Sequence, residues 1–164
     1  FHVIYSIGYA MQQLNMKILN NITWQKPNPP PNLACRYFTH STETIIWAAK
    51  NTKSKHKFNY ELMKEINDDK QMKDVWVMTA PGKAEKTYDK HPTQKPLSLL
   101  DRLILAATDE GDLVLDAFNG SGTTGVSCIR TNRKYIGIEL EKEFIQLSEK
   151  RFSEQTKLND KLSA

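Results

Sequence analysis

The sequence predicts an α/β chain built on parallel strands, and three observations carry that expectation. The run Asp116-Ala117-Phe118-Asn119-Gly120-Ser121-Gly122-Thr123-Thr124-Gly125, which contains a literal G-x-G-x-x-G, follows directly on the apolar segment Leu113-Val114-Leu115. A helical stretch from about Thr123 to Thr131 comes next, and then a second strand-like segment, Tyr135-Ile136-Gly137-Ile138-Glu139, which ends in an acid. Beyond Lys95 helical and strand-like patterns alternate, as βαβ units do. Asp116 and Glu139 are 23 positions apart, near the ~20-residue offset at which a carboxylate meets a ribose in nucleotide-cofactor folds.

The loop chemistry is local. Glycines at 120 and 122 permit positive φ and a close backbone approach to a ligand, while the helix that follows points unpaired N–H groups at the same place. Asp116, four positions before the first glycine, would repel a pyrophosphate and suits a ligand with a sulfonium and an ammonium group, so it favours S-adenosylmethionine over a dinucleotide. The plainer reading makes Asp116 a strand-end turn residue.

The segment His91-Pro92-Thr93-Gln94-Lys95-Pro96, a helix, and then Asp116-Ala117-Phe118-Asn119-Gly120-Ser121-Gly122-Thr123-Thr124 resemble the C-terminal half of the beta-group DNA amino-methyltransferases of restriction-modification systems. Softer likeness extends to Trp24-Gln25-Lys26-Pro27-Asn28-Pro29 and to Phe38 through Ala48, so the resemblance covers nearly the whole chain. It implies a Rossmann-like methyltransferase fold, circularly permuted, with the catalytic motif first, target recognition next and cofactor motifs last. It also implies that Asp116, Phe118, Gly120 and Gly122 line the methionine end of S-adenosyl-L-methionine, that Glu139 takes the ribose hydroxyls, and that the segment His91 to Pro96, with His91, Thr93, Lys95 and Pro96 as its cofactor-binding residues, closes over the same ligand. Asn119, Ser121, Thr123 and Leu140 complete that set. Lys95 and His91 could equally be ordinary solvated groups.

One departure from the family bears on activity. The catalytic tetrapeptide, an Asp, Asn or Ser followed by Pro-Pro and an aromatic, occurs nowhere in the 164 residues. Asn28-Pro29-Pro30-Pro31 comes closest, but its fourth residue is proline and offers no aromatic face to an extruded base, so it reads as a rigid connector. The chain opens at Phe1 inside an apparent amphipathic helix, with Val3, Ile4, Ile7, Met11 and Leu14 at helical spacing and no capping residue ahead. The expectation is an N-terminally incomplete enzyme whose catalytic motif lies upstream, with no catalytic residue here and no activity alone. A degraded, inactive product fits the sequence equally.

The remaining organisation is expected as follows. One methyltransferase domain spans 1–164: a catalytic-side helix and strands over 1–49, a target-recognition insert over 50–90, a cofactor-binding part over 91–152, and a polar, frayed tail over 153–164. Strands are expected at Lys17–Thr23 and Thr42–Ala48, a proline-rich loop at Lys26–Asn32, and a helix near Tyr60–Ile66. A helix with Pro96 in its first turn carries Leu97, Leu100, Ile104 and Ala107 on one face and stops at the Asp109–Asp112 turn.

A composition of 39% hydrophobic and 26% charged residues is ordinary for a globular domain. No apolar run approaches the ~18 residues of a membrane span, so the expectation is a cytoplasmic, prokaryotic protein with no membrane partner. Cys35 and Cys128 lack metal-ligand spacing and read as free thiols; no metal site is expected. A net charge of +4 is compatible with a polyanion. Arg36, Lys53, Lys55, Lys57, Lys83 and Lys86 are the candidate contacts to double-stranded DNA, although Glu61, Glu65, Asp68, Asp69 and Asp74 partly cancel them.

Function therefore stands as methylation of an exocyclic amino group in duplex DNA, adenine N6 ahead of cytosine N4. Two alternatives stay open: an NAD-dependent oxidoreductase domain, which leaves His91–Pro96 and Asp116 without a reason, and a non-catalytic DNA-binding remnant. A homodimer also stays open.

Overall fold

The computed structural model describes residues 3–88 and 91–162. The chain divides into two compact units, Phe1–His56 with Asn67–Thr79, and Lys57–Ile66 with Ala80–Ala164. Residues 50–90, grouped in the sequence as one recognition insert, are therefore shared between the two.

The first unit holds helix α1 (Ile4–Gln13) and a three-stranded sheet of order β2-β1-β3. β1 (Lys17–Gln25) runs antiparallel to β2 (Thr42–Ala49) and parallel to β3 (Val75–Val77). β-branched and aromatic residues favour this pleated surface. Ile22, Trp24 and Trp76 are its buried centre, and each indole N–H finds a carbonyl: Trp24 Nε1 donates to Met78 O at 2.8 Å and Trp76 Nε1 to Lys73 O at 2.7 Å. That satisfaction lets such large amphipathic rings be buried at no polar cost. Residues 26–41, with the proline run, form neither helix nor strand.

Two features of this unit differ from the sequence expectation. The sequence pattern does not predict β3. α1 is a helix, and Val3 precedes it without a side-chain cap, but it buries none of its residues: Ile7 stays exposed, as do the flanking Val3 and Leu14. The expected helix start at Phe1 lies outside the described residues.

The second unit is a βαβ arrangement with added helices. β4 (Leu113–Asp116) and β5 (Lys134–Gly137) are parallel, Leu115 opposite Ile136 and Asp116 opposite Gly137, joined by α4 (Thr123–Arg130). α2 (Tyr60–Glu65), α3 (Leu97–Ala107) and α5 (Lys142–Leu162) pack around them. Its apolar core is Met63, Leu99, Ile104, Ala106, Val126, Cys128 and Leu147; each large aliphatic so buried contributes about 1.5–3 kcal/mol.

α3 starts one residue later than expected. Pro96 is its extended N-cap, with ψ 143°, and the deepest positions are Leu99, Ile104 and Ala106 rather than Leu97, Leu100 and Ala107. The tail is not frayed either: α5 continues to Leu162, and Asn159 Nδ2 donates to Ile129 O at 2.8 Å, tying the polar end to the last turn of α4. Residues 163–164 of the expected tail lie outside the described residues. No described helix is long and apolar enough to cross a membrane.

Candidate functional site

The loop from β4 to α4 is built by its own residues. Gly120 and Gly122 have φ of 52° and 74°, values that strain any residue with a Cβ. Asp116, at the end of β4, accepts a 2.9 Å bond from the Phe118 amide on Oδ1 and a 2.6 Å bond from the Thr124 hydroxyl on Oδ2. The carboxylate thus fixes the strand end to the first turn of α4, so the turn reading of Asp116 holds alongside its place in the site.

Glu139 stands two residues past β5. Its Oε2 accepts from Gly120 N at 2.6 Å, and its Oε1 accepts from Leu140 N at 2.8 Å and Glu141 N at 3.0 Å. These amides, Glu141 and Gly120 foremost, hold its carboxyl below the ordinary glutamate value. Asn119 is tied to β5 by the Tyr135 hydroxyl, which donates to its Oδ1 at 2.6 Å.

The glycines divide their roles. A Cβ on Gly120 would lie 3.1 Å from His91 Nε2, so the His91 ring covers the loop at that point. On Gly122 it would lie 2.5 Å from Ser148 Cβ, and on Gly125 2.5 Å from the Phe152 ring. Sequence reasoning gives both loop glycines to a ligand; the structure gives the close approach at Gly122 to α5.

A cavity of about 160 Å³ opens over the loop. His91, Thr93 and Lys95 line one side, and Asp116, Phe118, Asn119, Gly120, Ser121 and Thr123 the other, so nine of the sequence-selected residues converge there. Glu139 and Asn119 line a second cavity of about 640 Å³ along β5 and α5. Pro96 is buried beneath the segment, and the Leu140 side chain is exposed. His91 packs edge-on against Phe144, ring centroids 4.3 Å apart. Burial pushes its imidazole below the usual value, while the charge of Glu139 opposes that shift.

The DNA methylase family matches residues 2–150. The chain belongs to that family. It is 60% identical over 159 residues to the Type II methyltransferase M2.DpnII of Streptococcus pneumoniae, covering 96% of this chain and 59% of that protein. It is 62% identical over 153 residues to M2.LlaDCHI of Lactococcus lactis subsp. cremoris, covering 93% and 57%. The chain thus spans somewhat under three-fifths of the length of these relatives. Among solved structures, the M1.HpyAVI-SAM complex superposes with a TM-score of 0.76 at 37% identity, over 92% of this chain and 70% of that one. The putative DNA modification methylase TTHA0409 of Thermus thermophilus, complexed with S-adenosyl-L-methionine, gives 0.69 at 26% identity, over 95% and 61%. The family match does not favour the oxidoreductase alternative.

The candidate DNA-contacting cations are all exposed, and they divide between the two units. Arg36, Lys53 and Lys55 belong to the first; Lys57, Lys83 and Lys86 belong to the second. Lys57 is hydrogen-bonded to Asp109, which lowers its value as a free phosphate contact. Gln94, inside the 91–96 segment, lines the smaller cavity too; sequence reasoning missed Leu100 and Thr124, which also line it, and Arg151, whose Nη1 donates to Ser121 O. Thr124 lies inside the glycine motif and was legible by position; nothing in the polar run of α5 marked Arg151.

Proposed function

We propose that this chain is the S-adenosylmethionine-binding part of a Type II DNA amino-methyltransferase, circularly permuted, with the pocket formed by Asp116 to Thr123, Glu139 and the 91–96 segment. The observation that carries the reading is the joining of Gly120 to Glu139, which brings the loop and the acid after β5 to a single amide. The residues fit the cofactor. A carboxylate has about four lone-pair sites, so Asp116 with two hydrogen bonds and Glu139 with three keep acceptor capacity for an ammonium group and a ribose hydroxyl. Phe118, 91% exposed, offers an apolar face beside them. The smaller cavity is below the ~300 Å³ of a typical ligand pocket, which suits the methionine end alone; the larger space beside Glu139 suits the nucleoside.

When bound, S-adenosylmethionine supplies a methyl group on a sulfonium centre. Asp116 would hold the cationic end, Glu139 the sugar, and His91 would shield the loop from water. Arg36, Lys53, Lys55, Lys83 and Lys86 would attract DNA phosphates. Orienting and stacking the target base falls to a tetrapeptide that these 164 residues do not contain.

Labelled methyl transfer to unmethylated DNA, with chromatography of the nucleosides, tests this reading. The chain alone should transfer nothing. Fused to the part of the Streptococcus pneumoniae relative that it does not match, it should yield a methylated amino base, adenine N6 being the first product to look for. Transfer by the isolated chain would overturn the assignment of the chemistry to the missing motif.

A further inference from the structure

Arg151 lies on α5, 9% exposed, on the face that also buries Leu147 and Ser148. Burying a guanidinium is costly unless its donors are used. Its Nη1 donates to Ser121 O at 2.5 Å and to the Thr123 hydroxyl at 3.0 Å, the residues on either side of Gly122. Ser148, one turn earlier on the same helix, and Phe152, the next residue, fill the space where Gly122 and Gly125 lack a Cβ. α5 therefore grips the loop from behind, by packing and by one buried cation.

Glu85 does the corresponding work for the other motif. Its carbonyl accepts from Gln94 Nε2 at 2.7 Å, and its Oε2 accepts from the Leu97 amide, also at 2.7 Å, capping the start of α3. One residue so anchors both the middle and the end of the 91–96 segment. Glu85 and Arg151 line the same cavity of about 200 Å³, together with Glu154. Burial works against the charged form of Arg151, and the charges of Glu85 and then Glu154 partly offset it.

We propose that Arg151 is a positioning residue for the cofactor site, with Glu85 as its counter-charge: together they set the spacing between the glycine loop and the 91–96 segment from behind the site, touching neither cofactor nor DNA. This rests on the S-adenosylmethionine reading above. Arginine suits the task because its donors are fixed in a planar fork and it stays protonated.

The test compares Arg151→Lys, Arg151→Met and Glu85→Gln by calorimetric titration with S-adenosylmethionine, and by amide hydrogen exchange without ligand. Arg151→Met should weaken binding at least tenfold and speed exchange at Gly120–Thr124 more than in β1 and β2. Arg151→Lys should recover most of the affinity, and Glu85→Gln should act in the same direction as Arg151→Met but more weakly. Wild-type affinity and unchanged loop exchange in Arg151→Met would overturn the proposal. If Arg151→Met fails to fold, Arg151→Lys and Glu85→Gln decide it: unchanged loop exchange in both overturns it. Absence of binding by the wild-type chain would sink the cofactor reading, while loop exchange in the variants would still judge the positioning role.

Discussion

The backbone amide of Gly120 donates to Glu139 Oε2 at 2.6 Å, closing the glycine loop onto the acid that follows β5. The same carboxylate accepts the amides of Leu140 and Glu141, so one side chain fixes the loop and leads the chain toward α5.

The pH dependence of stability should report this clamp. The folded-state carboxyl of Glu139 titrates below its ordinary 4.5, so the folded chain binds fewer protons than the unfolded one as pH drops through that window. Its stabilisation is present above the unfolded value and is lost as pH falls through the folded one. Thermal midpoints measured against pH should therefore fall more steeply in the wild type than in Glu139→Gln, and parallel curves would count against the clamp.

Asp116→Ala removes two hydrogen bonds to the loop and the negative charge facing the cavity. Loss of a charge-assisted contact is worth about 1.5–3 kcal/mol, a weakening of S-adenosylmethionine binding of roughly ten- to a hundredfold. Asp116→Asn should retain part of the loop geometry and lose the charge contribution. Calorimetric affinities equal to wild type in both variants would remove Asp116 from the site.

Gly125→Ala should destabilise the fold even though alanine is the better helix former. The added Cβ would sit 2.5 Å from the Phe152 ring and 2.7 Å from Tyr135. Overpacking costs about 1–3 kcal/mol and outweighs the gain of up to ~1 kcal/mol in helix propensity. Urea unfolding should show the loss, and Phe152→Leu in the same background should recover part of it.

The cysteines should separate cleanly. Cys128 is fully buried in α4 and its thiol is pushed up to about 11 by burial, whereas Cys35 is exposed in the loop between β1 and β2. Thiol titration of the native chain should label Cys35 alone, with Cys128 reacting only in denaturant.

The parts of the fold that were legible in the sequence are those specified locally. β4, the glycine loop, α4 and β5 follow from an apolar run, positive-φ glycines and helical spacing within some 25 residues. β3 is only three residues long, Val75–Val77, in a charged stretch, too short for a period to show. α1 was legible as a helix, but its apolar stripe did not tell that those residues stay exposed. The role of Gly122 and the burial of Arg151 both depend on α5 folding back against the loop, a long-range contact that no local pattern encodes.

Calorimetric titration of the purified chain with S-adenosylmethionine, with NAD as the control ligand, tests the central claim most directly. Saturable binding of the methyl donor, lost in Asp116→Ala, with no heat from NAD, is the expected result. Binding of NAD in preference to S-adenosylmethionine would contradict the account.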